Sequence, residues 1–148
     1  LDRSVLIKPA VALVVIWKYT GFNTVIYMTG LMTIPEELYE AAELEGAGAF
    51  RTFWSISMPM LKPFIFFAVT MTIIGNLQLF EEPFILTEGM AGPGQSGLTL
   101  GFYLYRTGWE WLMMGSASAM SWLLFILIGV FTGLHFYLFG RQGLGGDG

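Results

Sequence analysis

Three long apolar segments decide the fold class of this chain. They run from about residue 9 to 31, from 64 to 80 and from 112 to 139. A helix that rises about 1.5 Å per residue crosses about 30 Å of hydrocarbon in about 20 residues, and it satisfies its own backbone hydrogen bonds in lipid. The segments therefore predict an all-α, polytopic membrane protein whose termini lie on opposite sides of the bilayer.

The composition agrees with this class and excludes several functions. Charged residues make up 12% of the chain, against about 25% in soluble domains. The chain has no cysteine and one histidine, His135, which argues against disulfides, thiol catalysis and a metal centre. Basic residues do not cluster, so nucleic acid is not an expected partner. No nucleophile is grouped with a base, so we expect no catalytic residue, no bound cofactor and no enzyme activity.

A charged loop, residues 33–60, separates the first two apolar segments and holds five of the eleven acidic residues. Thr33 and Glu36 have the spacing of a capping box, and Pro35 suits the first turn of a helix. The helix is predicted to end just before Gly46, which can adopt positive φ. The charged loop thus begins with a short amphipathic helix that ends in a glycine turn.

A second short helix is predicted over residues 49–57, with Pro59 and Pro63 interrupting it. Ala41 and Ala42 make the first helix slim on one side, which would let another protein approach closely. The alternative is a helix pair that lies on the bilayer. Such helices usually carry Lys and Arg on their polar face, whereas this one is acidic, so a protein partner is favoured.

The charged loop resembles the EAA loop of permease subunits in bacterial and archaeal ABC importers. The matching residues are Glu40, Ala41, Ala42, Glu45, Gly46, Ile56, Met58 and Pro59. Met58 stands where Leu is usual, and Glu45 stands where Asp often precedes the glycine. The flanking pairs Gly30-Leu31 and Ile34-Pro35 resemble the carbohydrate branch in particular, and the likeness extends from about Trp17 to Arg141.

This resemblance implies a type I ABC importer permease, of which residues 1–148 would be the C-terminal part. The charged loop would be cytoplasmic, and residues 81–111 would form an extracellular loop with a short re-entrant or interfacial helix. Residues 140–148 would be a disordered tail. The expected location is the bacterial or archaeal inner membrane.

The resemblance also implies the partners and the coupling residues. The loop's first helix would seat in an ABC ATPase dimer, which binds ATP and magnesium and does the hydrolysis. A second permease subunit and an extracytoplasmic solute-binding protein would complete an importer for a sugar, an oligosaccharide or a glycerol phosphate. The coupling residues would be Glu40, Ala41, Ala42, Glu45, Gly46, Ile56 and Pro59. The chain itself lacks a P-loop.

Polar residues in the spans are candidates for the solute path, because they are costly in lipid and because amides and aromatic rings suit a sugar. The candidates are Asn23, Thr24, Asn76, Gln78 and Tyr103. The alternative is that the amides and hydroxyls hold helices together and that Tyr103 belongs to an interfacial aromatic belt. Lys18 would either pair with an acid outside this chain or extend towards the interface.

Small residues share one face of the last span, and Gly129 and Gly133 form a GxxxG step. The face consists of Gly115, Ala119, Gly129 and Gly133. Such a face packs closely against another helix, which would belong either to this chain or to a second subunit.

A different function, a gradient-driven carrier or channel without an ATPase, would be expected to show internal repeats and intramembrane acids. Neither is apparent in the sequence.

Overall fold

The computed structural model describes residues 4–140, which form helices and turns without a strand. The predicted tail beyond Gly140 lies outside the described residues. The helices are α1 (Ser4–Met32), α2 (Glu36–Leu44), α3 (Ala49–Thr52), α4 (Met58–Leu77), α5 (Glu81–Leu86), α6 (Leu100–Tyr105) and α7 (Met114–His135). Three π turns, Phe53–Ser57, Arg106–Glu110 and Phe136–Gly140, continue α3, α6 and α7. A 3₁₀ turn spans Pro93–Gln95.

Three helical stretches are long and apolar enough to cross a membrane, namely Val5–Met32, Ala49–Leu77 and Met114–Gly140. The all-α, polytopic fold class is therefore confirmed. The second stretch ends at Leu77 rather than near residue 80, and it begins earlier than the apolar segment that predicted it. Its first residues come from the charged loop, so the loop runs without a break into the span.

The prediction that Pro59 and Pro63 interrupt the second loop helix is wrong. A proline removes one backbone donor, and its ring clashes with the carbonyl four residues earlier. The π turn Phe53–Ser57 lies just before Pro59. In this turn the hydrogen bond reaches back five residues rather than four, since the Met58 N–H donates to the Phe53 carbonyl. Pro59 follows this turn as the second residue of α4, and Pro63 lies inside α4, so the helix continues through both prolines.

Helix α4 packs against both α1 and α7. On the α1 side, a Cβ placed on Gly30 would lie 2.7 Å from both Leu61 Cδ2 and Phe64 Cγ, so the two backbones approach closely there. On the α7 side, the His135 ring stacks on Phe66 with centroids 4.8 Å apart. The His135 Nδ1 atom lies 3.2 Å from Thr70 Oγ1. These contacts fix α4 as the central helix of the three.

The segment between α4 and α7 forms a small cluster at the end of the bundle away from the charged loop, called the distal end below. Phe102 is fully buried there and contacts the rings of Phe80 and Phe84. The Thr99 hydroxyl donates to the Leu79 carbonyl. Helix α6 and its π turn have six and five residues, so together they rise only about 16 Å and are too short to cross a bilayer.

Candidate functional site

Helix α2 ends in a Schellman motif built on Gly46. The Ala47 N–H donates to the Ala42 carbonyl at 2.9 Å, and the Gly46 N–H donates to the Glu43 carbonyl at 2.9 Å. Gly46 has φ of +74°, in the left-handed region that glycine adopts without a Cβ penalty. The glycine predicted from sequence therefore has a defined role, which is to end α2 and reverse the chain towards α3.

The predicted capping box does not form at the start of α2. Pro35 occupies the N-cap position, and no side chain caps the helix. The Thr33 hydroxyl instead donates to the Gly30 carbonyl at 2.7 Å, which also accepts the Thr33 backbone N–H at the end of α1. Thr33 thus closes α1 rather than opening α2.

A side-chain hydrogen bond and a buried aliphatic residue hold the charged loop to the bundle. The Tyr39 hydroxyl lies 3.0 Å from the Ser57 hydroxyl, and Ser57 is buried at the π turn before α4. Ile34, between α1 and α2, is also buried. Since α2 has no buried residue of its own, it is attached on one side and open on the others.

The open surface of α2 combines acidic and apolar groups. Leu44 at its end is 90% exposed, and Phe50 at the start of α3 is 79% exposed. Glu40, Ala41, Glu45, Gly46 and Pro59 of the predicted coupling set are exposed, while Ala42 and Ile56 are half-buried. A large apolar residue beside carboxylates suits contact with a protein better than contact with an anionic lipid surface.

The structure does not gather the five predicted path residues into one site. The Asn23 amide nitrogen lies 3.4 Å from Thr72 Oγ1, between α1 and α4. The Thr24 hydroxyl donates to the Thr20 carbonyl within α1. These contacts fit the alternative of helix-to-helix or intrahelical bonding better than a solute site. Gln78 is exposed at the C-cap of α4.

Asn76 and Tyr103 line two different cavities. A cavity of about 480 Å³ lies among α1, the end of α4 and residues 96–99, and Asn76 lines it together with Lys8 and Ser96. Asn76 also donates to the Thr72 carbonyl at 2.8 Å. Tyr103 lines a cavity of about 290 Å³ between α6 and α7. Sequence reasoning missed Lys8 and Ser96, because long-range packing brings them to Asn76.

Lys18 has its partners within this chain, contrary to both alternatives considered from sequence. Its Nζ atom lies 2.7 Å from Glu82 Oε1 and 4.0 Å from Glu81 Oε2. Both acids open α5, and 64 residues separate Lys18 from Glu82. The pair connects the middle of α1 to the distal end of the bundle.

The sequence of this chain, with its three spans and preformed loop helix, matches a known protein family. Residues 5–141 match the sequence profile of the family described as binding-protein-dependent transport system inner membrane component. The chain belongs to this family. The match covers the whole charged loop and both spans that flank it.

Several curated relatives of this chain are permeases of sugar transport systems. The lactose transport system permease protein of Rhizobium radiobacter is 35% identical over 131 residues, which cover 88% of this chain and 44% of the relative. The sulfoquinovosyl glycerol transport system permease protein of Agrobacterium fabrum is 41% identical over 118 residues, covering 80% and 38%.

The arabinooligosaccharides transport system permease protein of Bacillus subtilis is 39% identical over 112 residues, which cover 76% of this chain and 36% of that protein. This chain therefore spans about two fifths of the length of these relatives. Its resemblance to carbohydrate-branch ABC permeases is confirmed.

The small-residue face of α7 has no neighbour among residues 4–140 of this chain. Gly115, Ala119, Gly129 and Gly133 are all exposed. A Cβ added to any of the three glycines would meet no atom within 4 Å. The helix predicted to pack here remains a prediction, and it would have to come from outside the described residues.

Replacing Gly133 with leucine is expected to leave the fold of this chain unchanged and to weaken assembly with the neighbouring helix, since the larger side chain separates the two backbones. Native mass measurement of the purified complex checks the assembly. Val130→Leu, next to the glycine face, is the control and should assemble normally. Unchanged assembly and transport in Gly133→Leu would sink the packing prediction.

Proposed function

We propose that this chain is part of the membrane subunit of an ABC importer and that its charged loop couples a cytoplasmic ATPase to the solute path. The observation that carries the proposal is the geometry of α2. This nine-residue helix is completed by the Gly46 turn, tied down at Tyr39 and open elsewhere. A short helix presented in this way suits insertion into a cleft of another protein.

The continuous helix from Ala49 to Leu77 supports a mechanical role for the loop. It has 29 residues and is therefore about 43 Å long. Near its beginning, Ser57 contacts Tyr39 of α2. Near its far end, Asn76 lines the larger cavity. A push on α2 is thus passed along a rigid element to the distal end. Its contacts with α1 and α7 pass the same push to the other two spans.

The proposed solute is a sugar or oligosaccharide, or a related polyol phosphate. The relatives named for lactose and arabinooligosaccharides support the sugar class. The cavity of about 480 Å³ has the size of a small-ligand site, and the Asn76 amide offers both a donor and an acceptor to hydroxyl groups. Asn76 is the path residue that the cavity favours.

The partners follow from the same proposal. An ATPase dimer would bind ATP and magnesium, a second permease subunit would complete the path, and an extracytoplasmic binding protein would deliver the solute. The chain would sit in the bacterial inner membrane with the charged loop in the cytoplasm. The family's description as binding-protein-dependent supports the last of these partners.

Replacing Leu44 with aspartate tests the contact with the ATPase. Leu44 is the most exposed large apolar residue of α2, and a carboxylate added beside Glu43 and Glu45 would leave an unpaired charge in the interface. We expect the amount of ATPase that co-purifies with the full-length protein to fall at least about tenfold, as for loss of a central interface residue.

The control is Leu44→Met, which keeps an apolar side chain of similar volume and should bind the ATPase as the parent does. Both variants are compared at equal amounts in the membrane. Normal ATPase recovery with Leu44→Asp would rule out α2 as the contact.

A further inference from the structure

The ion pair between Lys18 and Glu82 has its basic partner in the middle of the span-length stretch Val5–Met32. Lys18 is about 18 Å along α1 from Gly30, where α1 meets the start of α4, and the hydrocarbon is about 30 Å thick. Its ammonium is 2.7 Å from the Glu82 carboxylate, whose side chain is 9% exposed. Charged groups at this depth are costly unless they are paired. The pair therefore constrains where α5 can sit.

Helix α5 depends on such contacts for its position. It has six residues, too few to be stable as an isolated helix. Glu82 and Pro83 are its buried residues, and Lys18 supplies the polar contact from α1. Glu81, by contrast, has a 74% exposed side chain and lies 4.0 Å from Lys18. Glu82 is the acid that joins α5 to α1.

The position of α5 in turn sets one wall of the larger cavity. Thr87 follows α5 and donates its hydroxyl to the Pro83 carbonyl at 2.7 Å. A Cβ on Gly97 would lie 3.0 Å from Thr87 Cγ2 and 3.1 Å from Ile7 Cγ2. Gly97 is thus held between the end of α5 and α1. It lines the cavity next to Leu98.

We infer that Lys18 and Glu82 are positioning residues of the solute path, whose ion pair fixes α5 against α1 and so sets the width of the cavity that Asn76 lines. The inference rests on the proposed function only in treating that cavity as part of the path. Neither residue needs to touch the solute. Their effect passes through α5, Thr87 and Gly97 to the cavity wall.

The test uses a single cysteine as a reporter of the cavity wall. This chain has no cysteine, so Leu98→Cys is introduced into the full-length protein without other reactive thiols. Labelling by a membrane-impermeant thiol reagent is then measured in membranes. Lys18→Met leaves the buried Glu82 carboxylate without its cation, and Glu82→Gln leaves Lys18 with only the exposed Glu81 at 4.0 Å. We expect labelling to become about tenfold faster in both variants, because α5 loses its polar contact with α1 and water enters the cavity.

Three further variants make the test specific. Glu81→Gln removes the neighbouring exposed acid and should leave the labelling rate near that of the parent. Lys18→Met/Glu82→Met replaces both charges with apolar side chains that can pack together, and should restore slow labelling. Ala117→Cys, buried in α7, reports general loosening and should label equally slowly in every background.

The inference is supported by faster labelling in the two single-charge variants, with reversal in the apolar pair. It is overturned if the single variants label like the parent, if Glu81→Gln has the same effect as Glu82→Gln, or if Ala117→Cys responds as strongly as Leu98→Cys. Labelling requires neither ATP nor solute. A negative labelling result would therefore overturn this inference without bearing on the proposed ATPase contact, which Leu44→Asp tests separately.

Discussion

Replacing Gly46 with valine is expected to lower ATP-driven uptake and ATPase co-purification at least about tenfold. Gly46 has φ of +74°, and a side chain in the left-handed region costs about 1–2 kcal/mol, with β-branched residues at the upper end. The two hydrogen bonds of the Gly46 turn complete a helix of nine residues, which has little stability of its own. The strained turn would displace α2 from the position required by the proposed contact with the ATPase.

Two substitutions in the same turn serve as controls. Gly48 has φ of −70° at the N-cap of α3, and a Cβ there would meet no atom within 4 Å. Gly48→Ser should therefore support normal uptake, because serine is a good N-cap residue. Gly46→Asn should keep most activity, since asparagine visits the left-handed region. Normal coupled uptake in Gly46→Val would falsify the role given to this turn.

Replacing Gly30 with alanine is expected to lower the free energy of unfolding by about 1–3 kcal/mol, the usual cost of overpacking. A Cβ on Gly30 would lie 2.7 Å from Leu61 Cδ2 and from Phe64 Cγ, and the ring atom Cγ cannot move without the whole phenyl group. The substitution would separate α1 from α4 next to the charged loop. Thermal unfolding of the purified protein in detergent measures the loss.

Gly21→Ala is the matched control for this prediction. Gly21 lies in the same helix, and a Cβ there would meet no atom within 4 Å. Alanine also favours helix over glycine by about 0.8–1 kcal/mol, so this variant should be at least as stable as the parent. Equal thermal stability of Gly30→Ala and Gly21→Ala would contradict the close α1–α4 contact.

The parts of the structure that sequence predicts well depend on local patterns. Three apolar stretches predict three spans because length and hydropathy are properties of neighbouring residues. Gly46 predicts the end of α2, since few other residues tolerate that backbone conformation. The start of α2 was harder to predict. A capping box requires the Thr33 hydroxyl to accept from the backbone of α2, whereas in the structure it donates to the Gly30 carbonyl at the end of α1.

The parts that sequence predicts poorly depend on distant contacts. The sequence predicts that Pro59 breaks a helix, but the helix continues through Pro59 after the π turn Phe53–Ser57, and nothing in the residue pattern marks that turn. Lys18 and Glu82 are 64 residues apart, so no spacing rule joins them. Asn23 and Asn76 were indistinguishable as polar residues in spans. Packing places Asn23 against Thr72 and Asn76 at a cavity.

Uptake by the reconstituted importer tests the proposed function most directly. The full-length protein would be placed in proteoliposomes with its ATPase, the second permease subunit and the binding protein, and uptake of labelled sugars would be followed. We predict uptake only when ATP reaches the ATPase on the side of the charged loop, and no loss of uptake when ionophores dissipate the ion gradients. Uptake that follows an ion gradient in vesicles without the ATPase would contradict the proposal and indicate a gradient-driven carrier.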